Sequence, residues 1–386
     1  MNFIVISPHF PHNYELFVVA LRNKGVNVIG IGDASFEQLS KTLKDNLIEY
    51  YKVDSMENYD EMYRAVAYLA FKHGKIDRLE SHNEYWLIQD SRLRTDFNIP
   101  GLKYHQIDSI KYKSKMKETF KKAKINVAHG RVFSDLKDAT RCAKECGFPV
   151  IIKPDVGVGG ADTHKVNSQA ELEALFLDLK HGPYIMEAFL DGDIVTFDGL
   201  CDQDGMLVYY SSLVYNQTTL DSLIYHKEMT FFVNPKIDKE LLRIGKKAVK
   251  AFNVKERFFH LEFFKMADGS YYGLEMNNRP PGGHALDLMN FANDINLYAE
   301  YANIVCDNEF SAHVDNKYYA YYIGRFTDQW YQYSTEDIIL KYPDVFFSII
   351  QVPDVYADLM GNIAVIVRHQ DIETIKTIEK DVLSKV

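Results

Sequence analysis

The segment from Phe258 to Asn277 constrains this chain more than any other, because it sets carboxylates inside strands that are otherwise apolar. It reads Phe258-Phe259-His260-Leu261-Glu262-Phe263-Phe264, turns at Ala267-Asp268-Gly269-Ser270, and returns as Tyr271-Tyr272-Gly273-Leu274-Glu275-Met276-Asn277. An Asp-Gly turn between two such runs predicts an antiparallel hairpin. Acids in the middle of apolar strands are costly unless something pairs them. Period-two alternation puts Glu275 and Asn277 on one face, and the partner strand can bring Glu262 to it. Two carboxylates and an amide oxygen are hard ligands, the set Mg²⁺ takes when phosphates complete its shell. Arg279, two residues further on, points the same way and is placed to grip a γ-phosphate in a forked contact. The bland alternative is a hairpin with two solvent-facing glutamates, which fits poorly with the apolar residues around both.

A second cluster is Pro149-Val150-Ile151-Ile152-Lys153-Pro154-Asp155-Val156-Gly157-Val158-Gly159-Gly160. A buried strand delivers Lys153, and a flexible turn carrying Gly157, Gly159 and Gly160 lets backbone N–H groups close over phosphate. It is not a Walker loop, since the lysine precedes the glycines. A third cluster, Tyr184-Ile185-Met186-Glu187-Ala188-Phe189-Leu190-Asp191-Gly192-Asp193, ends a strand at one carboxylate and holds another six residues later. An adenine at the backbone of that turn and a ribose on the acid fit it, and so does an ordinary acidic loop.

The first hundred residues alternate strand and helix: Phe3–Ser7, Val26–Gly32, Glu49–Val53 and Ile76–Ser81 as strands, with helices at Tyr14–Lys24, Tyr59–Lys72 and Glu84–Asp96. That grammar predicts a parallel, doubly wound sheet. Its first turn, Ser7-Pro8-His9-Phe10-Pro11-His12, lacks the glycines of a dinucleotide site, which excludes NAD or FAD there. Beyond Tyr184 the pattern turns antiparallel, and the chain closes with a strand at Asn362–Arg368 and a helix from Ile372. At 386 residues the chain suits two or three packed lobes. A net charge of −10 argues against a nucleic-acid partner. No apolar run is long enough to cross a bilayer, and the N-terminus lacks a signal-peptide pattern. Cys142, Cys146, Cys201 and Cys306 have no zinc spacing and read as reduced thiols of a cytoplasmic protein.

The order of these clusters matters more than any one of them. Basic helix, strand–Lys–glycine loop, Glu hinge and Glu…Glu-x-Asn-x-Arg together resemble the ATP-grasp superfamily throughout residues 110–310. Within it the chain is similar to L-amino acid ligases and carbamoyl-phosphate-synthetase-like proteins. The resemblance implies an α/β chain (α+β lobes), a pre-ATP-grasp parallel-sheet domain at 1–105 followed by a two-lobed ATP-grasp domain. The N-terminal lobe with the glycine loop would span 106–185, the C-terminal lobe with the Mg and ATP site 186–310, and an extension packing on it 311–386. Carried over by position, Lys113 and Lys153 look like the two ATP lysines, Glu187, Ala188 and Leu190 like the adenine hinge, and Asp193 like the ribose acid. Glu262, Glu275 and Asn277 look like the Mg²⁺ ligands, with Arg279 at the transferring phosphoryl group and Pro280–His284 facing the substrate.

The implied activity is an ATP- and Mg²⁺-dependent ligase, with Mn²⁺ as an alternative ion. It would form an acylphosphate from a small carboxylate and couple it to an amine, an amino acid among the candidates. A small-molecule kinase of the same fold and a non-catalytic nucleotide-binding protein are the other readings, and a homodimer is compatible with each. Substrate contacts are sought at Glu84, His226, His284 and Arg325. For each a structural role competes, and for Glu84 it is stabilisation of a first helical turn.

Overall fold

The computed structural model describes residues 1–157, 162–180, 182–216, 222, 226–315 and 317–386. Gly159 and Gly160 of the expected phosphate loop lie outside the described residues.

Strands Asn2–Ile6, Asn27–Gly32, Glu49–Lys52 and Arg78–Glu80 pair in parallel, with the first strand between the second and the fourth. Both faces are covered, as such a sheet requires. Phe3, Val5 and Val28 meet Phe17 and Leu21 on one side, while Ile4, Ile6 and Ile29 meet Met62, Val66 and Leu69 on the other. The helix Tyr59–His73 starts where the Asn58 side chain accepts from the backbone of Asp60 and Glu61, and stops at Gly74 with φ 86°. The helix expected from Glu84 begins instead at Leu87. Glu84 sits in the preceding turn, where its carboxylate is buried against Lys111 rather than set in a first helical turn.

A second sheet holds Gly130–Phe133, Tyr184–Ala188, Val150–Pro154 and His164–Val166 in that spatial order, all antiparallel. Helices Leu136–Cys146 and Gln169–Asp178 cover it, with Ala139, Cys142, Ile152, Leu172 and Met186 in its own core. Ser168 caps the second helix by accepting from the Glu171 N–H. Strand Tyr184–Ala188 belongs wholly to this sheet, so a lobe boundary at 185/186 falls inside it. Cys142 and Cys146 are free thiols, 4.0 Å apart.

The third sheet is ten-stranded and carries the hairpin Arg257–Lys265/Tyr271–Asn277. Asp193–Cys201 lies beside the hairpin, and the sheet runs on through Tyr319–Arg325 to Ile363–His369 and Phe346–Gln351. The last three strands therefore continue the same sheet. The Tyr318–Tyr322 run supplies the buried Tyr321 and Tyr322 to it.

Phe17 joins the first and third lobes. Its ring lies 4.8 Å from Tyr298, 5.3 Å from Tyr301 and 6.0 Å from Phe258. On the outer side, helix Lys239–Ala251 lies on strand Asp193–Cys201 at Gly245, where a Cβ would come within 2.3 Å of the Phe197 ring. Gly245→Ala is therefore expected to lower stability by about 1–3 kcal/mol through overpacking. Urea denaturation checks this, and an unchanged midpoint would show that the helix moves away freely.

Candidate functional site

The hairpin register decides the site. Glu262 stands opposite Glu275 and His260 opposite Asn277, and in the neighbouring strand Thr196 pairs with Glu262 and Asp198 with His260. Alternation then puts Thr196, Asp198, His260, Glu262, Glu275 and Asn277 on one face. The other face holds Phe197, Phe259, Leu261, Phe263 and Met276, which are buried around Phe120. A bulge after Glu262 sets Phe263 opposite Gly273 and leaves Leu274 as the extra residue. Bulges commonly re-aim side chains beside functional sites.

The polar face is wired together. His260 Nδ1 lies 2.6 Å from Asp198, and its Nε2 lies 3.1 Å from Glu262. The Thr196 hydroxyl donates to the other Asp198 oxygen and accepts from the Leu213 N–H at 2.8 Å. Burial opposes a charge on His260, but Asp198 and Glu262 outweigh it and push its pKa up to about 9. Burial also opposes ionisation of Glu262, yet His260 and Arg279 hold its pKa below the ordinary value. Glu275 is pushed up, by burial first, against the pull of Lys113. One of the two facing carboxylates thus carries a charge that the protein does not fully balance.

That imbalance fits a divalent cation. Among the described residues no group of three His, Cys, Asp or Glu side chains could hold a metal alone. Two carboxylates plus the Asn277 amide, completed by phosphate oxygens, is the hard-oxygen set that suits Mg²⁺ or Mn²⁺.

The candidate phosphate lysines converge on this face. Lys113 Nζ lies 3.7 Å from Glu275 and donates to the Gly157 carbonyl at 3.3 Å. Lys153 reaches Glu187 at 2.9 Å, and Glu187 takes a second lysine, Lys117, at 2.8 Å. Burial works against the Lys153 charge, but Glu187, Glu275 and Glu262 together raise its pKa. Lys117, which also donates to the Ala128 carbonyl at 2.7 Å, is lowered by burial. Asp155 fixes the geometry. Its side chain accepts from the Ser114 N–H at 2.7 Å and hydroxyl at 2.8 Å, while its carbonyl accepts from the Lys113 N–H. It thereby caps helix Lys113–Lys122 from the glycine-loop strand.

The hinge turn is more committed than its sequence suggests. The Ala188 N–H donates to the His129 carbonyl and the Phe189 N–H to the Pro149 carbonyl, so neither of these two donors is free. Asp193 is exposed and opens the strand beside the hairpin. The Gly157 carbonyl lies next to Lys113.

Arg279 donates to the Pro280 carbonyl at 2.7 Å, and its charge acts on Glu262, Tyr14 and Tyr356. The loop it leads into is tied to the first lobe, because Asn13 donates to the Gly283 carbonyl at 3.2 Å and to Asp287 at 3.1 Å. His284 also lies against Asp287, at 2.9 Å. Glu84 meets Lys111 at 2.8 Å, its Oε2 is buried without a partner, and its charge reaches Glu275. His226 and Arg325 have aromatic neighbours, and the Arg325 Nε is buried without a hydrogen-bond partner. His226 stacks on Phe326 with ring centroids 4.0 Å apart. Arg325 is buried, donates to the Tyr333 carbonyl at 2.6 Å and lies over the Tyr331 ring. Lys117, Asp155, Asp198 and His260 escaped the sequence reading. Lys117 follows Lys113 by one helical turn, and Thr196-x-Asp198 repeats the strand alternation, which were the available signals.

Residues 112–185 match the family model of the carbamoyl-phosphate synthase L chain ATP-binding domain. The L-arginine-specific L-amino acid ligase of Bacillus subtilis is 24% identical over 294 residues, covering 73% of this chain and 69% of that protein. The carbamoyl phosphate synthase large chain of Caldanaerobacter subterraneus subsp. tengcongensis is 24% identical over 205 residues, half of this chain but only 18% of that longer one. Among solved structures, an L-amino acid ligase from Bacillus licheniformis superposes with a TM-score of 0.77 at 15% identity, covering 99% of this chain and 96% of the other. An N5-carboxyaminoimidazole synthetase from Staphylococcus aureus gives 0.75 at 16% identity, covering 98% and 96%. The fold is that of the ATP-grasp ligases. No helix among the described residues is long and apolar enough to cross a membrane.

Burial disfavours the Glu187 charge, but Lys153 and Lys117 hold its pKa down to about 2, against an ordinary 4.5. A depressed carboxylate contributes stability above its unfolded pKa and loses it as pH falls through the folded one. Glu187→Gln is expected to cost about 3–5 kcal/mol at neutral pH, because it leaves buried lysines short of a counter-charge. Its stability should also decline less steeply than wild type from pH 4.5 down to about 2. Urea denaturation at a series of pH values measures both, and parallel pH profiles would contradict the assignment.

Proposed function

We propose that this chain, an ATP-grasp enzyme of the ATP-dependent ligase type, activates a small carboxylate as its acylphosphate and transfers the acyl group to an amine, with an amino acid among its substrates. The register that sets Glu262 opposite Glu275, with Asn277 on the same face and Arg279 just beyond, carries this reading. On this reading a cation site in strand Tyr271–Asn277 is followed, just beyond the strand, by a phosphoryl grip and a substrate loop.

Lys113 and Lys153 would lie on the phosphates, the turn from Leu190 would take the base, and Asp193 the ribose hydroxyls. Mg²⁺, held by Glu262, Glu275 and Asn277, would spread the charge of the phosphates as the phosphoryl group moves. Lys153 is prepared for an anion, since its present partner Glu187 is shared with Lys117. Asp155 keeps Lys113 in register with the strand that carries Lys153.

The substrate carboxylate attacks the γ-phosphorus and ADP leaves. The amine then attacks the acyl carbon, and phosphate departs with the electron pair of the broken C–O bond. Activation is needed because a carboxylate oxygen leaves poorly and phosphate leaves well. Arg279 is placed for both halves: it grips the transferring group and then holds the oxyanion formed when the amine attacks. Glu84, with one oxygen on Lys111 and the other unpartnered, suits a substrate ammonium. His284, steadied by Asp287, borders the acceptor side. Arg325, whose Nε is buried without a partner, and His226, stacked on Phe326, stay candidate substrate contacts.

Glu275→Gln is expected to abolish turnover, a loss of roughly 3 kcal/mol or more of transition-state stabilisation, with an unchanged circular dichroism spectrum. Near-wild-type ADP release by this variant would remove Glu275 from the site. Arg279→Lys keeps the charge but loses the fork, so kcat should fall far more than ATP affinity. The reaction class is tested by incubating enzyme, Mg-ATP, candidate amino acids and hydroxylamine. A hydroxamate is expected, whereas a stable phosphorylated alcohol as the sole product would establish a kinase instead.

A further inference from the structure

Behind the candidate ATP site lies a cavity of about 710 Å³, between the first lobe, helix Lys113–Lys122 and the hairpin. Two of its walls are the backs of site-bearing elements. Lys115, Glu118, Thr119 and Lys122 line it, and helical spacing places them opposite Lys113 and Lys117. Asn278 lines it from the reverse side of the strand that ends in Asn277.

The cavity is built for negative charge. Six Lys and Arg side chains line it against four carboxylates, in a chain whose net charge is −10. Its inner wall is an ion network in which Glu80 takes both Arg94, at 2.9 Å, and Arg257. Arg78 is satisfied separately by Glu256 at 2.7 Å. Arg257 is only 6% exposed, yet its Nη1 has no hydrogen-bond partner. The Asn278 Oδ1 is likewise buried and unpartnered. Buried polar groups of this kind normally find partners, and these two stand closed off from solvent just behind the cavity lining. Burial lowers the Arg257 pKa to about 10, which still leaves the guanidinium charged at neutral pH. At the mouth Lys115 is balanced by Glu118 at 3.0 Å, while Lys122 and Lys255 are exposed.

We propose that this cavity binds a small oxyanion-bearing metabolite, a phosphate or carboxylate compound, as an effector that alters nucleotide affinity on the other side of the same helix and strand. An occupant packed against the wall that Arg257 and Asn278 form would bear on the strand end between Asn277 and Arg279. A shift of helix Lys113–Lys122 toward Lys122 would move Lys113 and Lys117 as one body. The binding claim stands independently; the coupling claim rests on the proposed ATP site.

The test uses the full chain, with inorganic phosphate and succinate as the two probes. Calorimetry in saturating Mg-ADP should show one anion site, and the probe that binds identifies the phosphate or carboxylate source. The double variant Lys122→Glu/Lys255→Glu, confirmed folded by its thermal midpoint, should weaken that site at least tenfold. No anion binding in wild type, or binding unchanged in the variant, would overturn the site. For the coupling, the bound anion should change Mg-ADP affinity at least threefold in wild type, with the reciprocal change in anion affinity. The variant should bind Mg-ADP normally and ignore the anion. An anion that binds without changing Mg-ADP affinity would overturn the effector role alone. Absent Mg-ADP binding would instead sink the ATP reading, with the anion site still measurable.

Discussion

Two carboxylates facing each other across a hydrogen-bonded hairpin are the constraint on which the rest of this molecule depends. Glu262 and Glu275 cannot move apart without breaking the strand pairing, and partial burial weakens the screening they get from bulk water. The surrounding structure supplies positive charge from every side: His260 beneath Glu262, Lys113 beside Glu275, and Lys153 and Arg279 within range of the pair. These partners reduce the repulsion without abolishing it, since Glu275 still resists ionisation. A divalent cation with phosphates resolves what the side chains leave open. The fold therefore holds its strain where a charged ligand would enter.

The lysine side obeys the same logic with the signs reversed. Glu187 stands between Lys117 and Lys153, so a single carboxylate serves two buried ammonium groups. Breaking such a pair is expensive, which makes Glu187 a structural residue as well as a candidate nucleotide contact. Lys153 also feels Glu275 and Glu262, which with Glu187 raise its pKa. Asp155 closes the arrangement by tying the start of the Lys113 helix to the strand of Lys153, while Met116 and Phe120 of that helix pack in the core of the third sheet. ATP-grasp ligases of quite different sequence share the fold, as superpositions at 15–16% identity show.

Much of this was legible in the chain itself. Strand alternation gave the parallel first lobe, and the Asp-Gly turn with its flanking acids gave the hairpin and the shared face of Glu262, Glu275 and Asn277. These are local readings: a period of two or 3.6 residues fixes which side chains share a face, and a turn fixes which strands are neighbours. Helix starts were less secure. Glu84 looked like a first-turn acid because local rules favour acids there, but its partner, Lys111, lies 27 residues away and draws it into the preceding turn. Arg325 and His226 are candidate substrate contacts by residue type alone, and only the tertiary structure gives them their neighbours Tyr331, Tyr333 and Phe326.

The sequence by itself determined the elements, the faces and the donor chemistry, because those follow from spacing along one strand or helix. Tertiary structure alone decided how the charges meet. Asp198 reaches His260 across 62 residues, Ser114 meets Asp155 across 41, and Arg257 joins Glu80 across 177. No periodicity encodes such pairings. They arise because a low-dielectric interior makes every buried charge seek an opposite one, and which one it finds depends on how the three sheets pack.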